Sequence, residues 1–249
     1  MNRQTAGQVD EPASVAGGRS FLGPTIRRSL RSGRMVLVIG TAWSVILGVS
    51  IAIGGGSGFA SSFPLILPIF GSIAAIGALT VFTSDRAKGV LEYLMAYGIS
   101  PRRLFTNFIV AALASISIVL VIAIGASVAA YVALGNRLST SFLLLLGVYS
   151  IPMSYVSGAF ATTVGMYWSA LSSPREGMNS PLGIAPFFGI LPPVAALVLI
   201  GVFGATIGIT SNGFLLVTGA ALTLVALTVL YLLANIGHLL RRERLLSNA

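Results

Sequence analysis

Residues 84–105 read SDRAKGVLEYLMAYGISPRRLF. This one stretch holds Arg86, Lys88, Arg102 and Arg103 of the chain's fifteen basic residues, and Asp85 and Glu92 of its six acidic ones. The sequence on either side is almost uncharged and strongly apolar. Hydrocarbon excludes charge, so the stretch must lie in water between two segments that cross a bilayer. Its own pattern is amphipathic: Val90, Leu91, Leu94 and Met95 share one helical face, flanked by Arg86, Lys88, Glu92 and Tyr93. Such a helix can rest its apolar side on the span ends and turn its polar side to water or to a soluble partner.

Working outward, hydrophobic residues make up 55% of the 249 positions and charged residues only 8%. Soluble domains carry roughly a quarter charged residues. The composition therefore predicts an all-α, polytopic membrane protein. Apolar segments fall near 35–53, 63–83, 106–134, 141–171, 184–208 and 213–237, each of about the length needed to cross. The third and fourth are long enough to tilt or project. This sets a six-span transmembrane domain over 21–240. Residues 1–20 form a polar, weakly patterned tail expected to be disordered and cytosolic, and 241–249 form a short basic cytosolic tail. The absence of cysteine excludes disulfides, thiolate metal sites and cysteine nucleophiles.

The net charge of +9 does not point to nucleic acid, because the basic residues sit at span ends rather than on one soluble face. One side of the membrane receives Arg3, Arg19, Arg27, Arg28, Arg31, Arg34, the four basic residues of 84–105, Arg175, Arg241, Arg242 and Arg244. The other side receives Arg137 alone. This asymmetry places both termini and the 84–105 and 172–183 loops in the cytoplasm. It leaves only short outer connections, the first of them GGGSGFASS at 54–62.

Local signals refine the charged end. In 21–34, Leu22, Ile26 and Leu30 repeat at helical spacing, and Arg27, Arg28, Arg31 and Arg34 occupy other positions. This predicts a basic amphipathic helix lying in the membrane interface and touching lipid; a plain flank of positive charges is the alternative. Ser84 or Asp85 can N-cap a short helix over 86–97, with Gly98 just past its end. Ser100-Pro101 then opens the third span as N-cap and first helical residue. Ser173-Pro174-Arg175-Glu176 combines proline at a helix start with a capping box, predicting a second cytoplasmic helix.

The run Asp85-Arg86-Ala87-Lys88-Gly89-Val90-Leu91-Glu92-Tyr93-Leu94-Met95-Ala96-Tyr97-Gly98-Ile99-Ser100-Pro101-Arg102 resembles the loop after the second span in permease subunits of the type-2 ABC exporter family. The basic N-terminal helix, six spans, inward termini and second cytoplasmic helix also look like that family, so the resemblance covers about 21–244. The chain departs from the pattern at Gly98, where proline is usual, and near Lys88, where a second acid is usual. The resemblance implies that 86–97 is a coupling helix seated in a cleft of a separate ATP-binding cassette subunit. Asp85, Arg86, Lys88, Gly89, Leu91, Glu92, Leu94 and Met95 would lie at the contact, with Glu92 its key polar group. Pro174, Arg175 and Glu176 would form a second contact. It further implies a second permease copy or paralogue, a plasma-membrane location, and ATP and Mg held by the partner subunit with no cofactor in this chain.

The remaining chemistry is sparse. No G-x-x-x-x-G-K-[ST] sequence is present, so ATP hydrolysis is expected elsewhere and the chain is not expected to be an enzyme. A single histidine, His238, makes a poor metal site, and no metal is expected. Gly55-Gly56-Ser57-Gly58 matches the G-x-S-G of rhomboid-type intramembrane proteases, but the charge-derived topology puts Ser57 and His238 on opposite sides of about 30 Å of hydrocarbon. A glycine-rich outer turn is the expected reading. The expected spans carry no ionisable group at mid-depth, which weighs against a proton- or sodium-coupled carrier. Two further readings stay open: a membrane anchor or assembly subunit that docks another soluble protein through 86–97, and a channel or carrier working without ATP.

Overall fold

A computed structural model describes residues 22–54, 56–171, 191–192, 194–195, 198 and 212–235. The expected disordered tail at 1–20, the loop with Pro174, Arg175 and Glu176, His238, the basic tail and most of the expected span at 184–208 lie outside these residues. Among the described residues every regular element is helical. In order they are α1 (Leu22–Ser32), α2 (Arg34–Gly54), α3 (Gly56–Ala74), α4 (Ile76–Ala87), α5 (Val90–Ala96), α6 (Pro101–Ala133), α7 (Thr140–Leu144), a π-helical turn (Leu145–Ser150), α8 (Ile151–Leu171) and α9 (Asn212–Ala234).

Five segments are long and apolar enough to cross a membrane: Arg34–Gly54, Ser62–Ala87, Pro101–Ala133, Thr140–Ser169 and Leu216–Ala234. This is consistent with a membrane protein. The long helix α6 is central and packs against α1, α2, α3, α4 and α8, while α9 lies mainly on α8.

Small residues select the packed faces. The buried stripe of α2 is Gly40, Ser44, Gly48 and Ala52, one residue per turn. The exposed side of the same helix carries Met35, Val38, Ile39, Trp43 and Ile46. Lipid tails are as apolar as these side chains, so burying them against protein gains little, and close backbone approach decides which face turns inward. A Cβ at Gly48 would sit 2.0 Å from Ser127 Oγ. The same rule governs α1. Its buried residues are Thr25 and Ser29, followed by the buried Gly33, and a Cβ on Gly33 would come within 2.5 Å of Gly77 Cα on α4. Leu22, Ile26 and Leu30 are only partly buried.

Two interruptions lie inside expected spans. The second span is two helices, joined at Ala75 by short-range bonds in which Ala75 N–H donates to Ser72 O and Ala78 N–H donates to Ala75 O. The fourth contains the π-helical turn, which ends two residues before Pro152. Proline lacks an N–H and its ring crowds the preceding turn, so a widened turn accommodates it. Pro64 and Pro68 both lie inside α3. Pro68 has no N–H to give to the Pro64 carbonyl, and the Ser150 hydroxyl supplies that donor at 2.6 Å.

The expected outer turn at 54–62 is corrected. Helix α2 ends at Gly54 and α3 begins at Gly56, so the glycine-rich run is largely helical. Phe59, one turn into α3, is fully buried and stacks on Phe63, Tyr131 and Phe142 at centroid distances of 5.1, 4.4 and 5.4 Å. Offset aromatic contacts of this kind add to plain burial, and here they anchor a segment whose glycines favour coil.

Candidate functional site

The charged stretch forms a corner built from the end of α4, all of α5 and the start of α6. Helix α4 runs on through Asp85 and Arg86 to Ala87. Lys88 then caps it, and Gly89 follows with φ of +69°, a left-handed conformation that glycine adopts without steric penalty. The expected helix over 86–97, capped by Ser84 or Asp85, is therefore corrected to 90–96, with no side-chain cap. The reason is that Asp85 and Arg86 are drawn into the last turn of the preceding helix by contacts made inside the chain.

Asp85 is 2% exposed. Its carboxylate accepts a hydrogen bond from Arg28 of α1 at 2.5 Å, an ion pair in which the Arg28 side chain remains 53% exposed. Arg86 is 6% exposed. Both residues, expected at a partner surface, thus face inward in this chain.

The far end of α5 follows its expected chemistry. Gly98 has φ of +85°. Its N–H donates to Met95 O, and Ile99 N–H donates to Leu94 O, which is the paired bonding of a Schellman terminus. Leu94 and Ile99 pack together against the core beside this turn. Ser100 Oγ then accepts from Arg103 N at 3.4 Å, with Pro101 opening α6.

The apolar face of α5 rests on the bundle. Leu91 and Met95 are buried in one cluster with Phe82, Leu104, Phe105 and Phe108. Phe82 meets Phe105 and Phe108 edge-on at 5.2 and 5.3 Å. Leu91 and Met95 therefore hold α5 in place rather than present a surface, and Gly89 shapes the turn. The residues left facing out are Lys88, Tyr93 and Tyr97, with Glu92 partly exposed. Glu92 Oε2 is buried and has no hydrogen-bond partner among the described residues. It sits in the first turn of α5, where a negative charge favours the helix.

Tyr93 and Tyr97, missing from the expected contact set, are 60% and 68% exposed. Their rings lie 4.5 Å apart, and a hydrogen bond between them pushes the Tyr93 hydroxyl above the ordinary phenol range. Their spacing of four residues on a helix, opposite Leu91 and Met95, was the available signal.

No family model matches the chain, and neither a curated protein nor a solved structure matches it. The likeness to ABC exporter permeases thus rests on the 85–102 run and the layout around it.

Elsewhere at this end, Arg27, Arg28, Arg31 and Arg34 are exposed along α1 and the start of α2. Among the described residues no three His, Asp or Glu side chains come together as a metal site would require.

Proposed function

We propose that this chain is the six-span permease subunit of an ATP-driven ABC transporter that exports its substrate. The observation that carries the reading is α5. It is a short helix bounded by two left-handed glycines, clamped to the bundle by Leu91 and Met95, with Lys88, Tyr93 and Tyr97 left toward solvent and Glu92 partly exposed beside them. A rigid element joined to α6 by a tight turn transmits a push as a body. That is what a bundle without its own ATP site needs from a partner that closes on ATP and Mg. In this reading both termini are cytoplasmic, α1 lies in the inner interface of the plasma membrane, and α5 seats in a cleft of an ATP-binding cassette subunit. A second permease copy or paralogue completes the transport path.

The contact surface in this proposal differs from the expected one: Lys88, Glu92, Tyr93 and Tyr97 would meet the partner. Asp85, Arg86, Leu91 and Met95 would support them from within. Co-expression with a nucleotide-binding ATPase, followed by purification of the full chain, tests the reading. Glu92→Arg is expected to abolish the complex or its stimulated ATPase activity while the chain still inserts. A complex that forms and turns over unchanged would sink the proposal, and purification with a different soluble enzyme would favour an anchor role.

A further inference from the structure

The surface of α1 holds a feature that the docking of α5 does not use. Pro24, Arg27, Arg28 and Arg31 line an open concavity of about 280 Å³. We propose that it is a binding site for the phosphate of an anionic phospholipid headgroup. The inference rests on α2 crossing a bilayer and is independent of the transport reading.

The position is right for a headgroup. Only Gly33 separates α1 from α2, and α2 turns Met35, Val38 and Ile39 outward at 77%, 60% and 54% exposure. Those side chains need lipid tails beside them, so the arginines one to two turns earlier stand at the level of the phosphates.

The charge is right as well. Helix α1 contains no acidic residue. Arg28 is half committed to Asp85. Arg27 and Arg31 lie four residues apart on the exposed face. Like charges at that spacing repel each other, and a shared anion removes the repulsion. Guanidinium groups offer forked donors that match phosphate oxygens in pairs. The frame is held in place too, because Ser29 and Gly33 are packed against α4 and Arg28 is tied to it. A headgroup bound to Arg28 would be linked to the end of α4 only through the ion pair of Arg28 with Asp85.

Native mass spectrometry of the full chain, released from detergent, tests this with three probes: dioleoyl phosphatidylglycerol, dioleoyl phosphatidylcholine and inorganic phosphate. The wild type is expected to hold one phosphatidylglycerol in preference to phosphatidylcholine. Inorganic phosphate alone is expected to bind far more weakly, which identifies the lipid as the source. Arg27→Gln/Arg31→Gln is expected to weaken phosphatidylglycerol binding by about twenty-five-fold, each surface cation contributing about fivefold. Arg137→Gln, at the opposite end, is expected to leave it unchanged. Should the double glutamine variant fail to fold, the single variants Arg27→Gln and Arg31→Gln are each expected to weaken phosphatidylglycerol binding by about fivefold. Equal retention of both lipids by the wild type, full preference in the arginine variants, or phosphate binding as tight as the lipid's would each overturn the proposal.

Discussion

Arg28 and Asp85 form an ion pair with unequal partners, and the inequality makes a sharp test. The Asp85 side chain is 3% exposed and that of Arg28 is 53% exposed. In Arg28→Gln the carboxylate stays buried without its cation. Removing one partner of a buried pair costs about 3–5 kcal/mol. Since Arg28 is half solvated and the pair is partly screened, the lower end, about 3 kcal/mol, is the expected figure. In Asp85→Asn the remaining Arg28 guanidinium can turn to water, and the loss should be about 1 kcal/mol. The double variant should resemble Asp85→Asn, because no charge is then stranded, and the difference gives the coupling. Thermal unfolding of the purified full chain, followed by the fluorescence of Trp43 and Trp168, reads these changes. At about 2–4 °C per kcal/mol for a chain of this size, Arg28→Gln should lower Tm by about 6–12 °C and Asp85→Asn by a few degrees. If Arg28→Gln is no worse than Arg27→Gln, which removes a cation with no acidic partner on its helix, the pair does not hold α1 to α4 and the reasoning fails.

Two further substitutions test the packing. Gly33→Ala places a Cβ 2.5 Å from Gly77 Cα and should destabilise by about 1–3 kcal/mol. Gly23→Ala, with nothing within 4 Å, should be neutral or stabilising by up to about 1 kcal/mol; equal effects of the two would show that α1 and α4 do not meet there. Ser150→Ala leaves the Pro64 carbonyl without its donor and should cost about 1–2 kcal/mol in the same melt. Ser154→Ala, whose hydroxyl bonds only the Ser150 carbonyl of its own helix, should cost less; the reverse order would argue against the role given to Ser150.

Where local chemistry decides structure, the reading from residues alone was close. Gly98 and Ser100-Pro101 behave as a helix end and a helix start because their preferences are intrinsic to one or two residues. Of the stripe Val90, Leu91, Leu94 and Met95, the last three pack into the core cluster beneath α5. By contrast, that helix starts at Val90, four residues past the start that local signals give. Ser84 and Asp85 look like caps, but the pull on Asp85 comes from Arg28, fifty-seven positions away, and no local pattern contains it. The same absence of range hid the helical character of 56–62, which depends on Tyr131 and Phe142 closing over Phe59.

Charge placement and apolar length speak for themselves in this chain, because water and hydrocarbon act on each segment separately. They are enough to mark the membrane-length helices and the basic end. Which side of each helix turns inward is another matter. Lipid accepts Ile and Trp as readily as protein does, so hydrophobicity cannot choose between faces. Fit between backbones chooses instead, through Gly33 on Gly77, Gly48 on Ser127 and Gly71 on Ser154. Asp85 is held inward by Arg28, and Leu91 and Met95 by Phe82, Leu104, Phe105 and Phe108, which leaves Lys88, Tyr93 and Tyr97 outside; all of these contacts exist only once the helices are assembled.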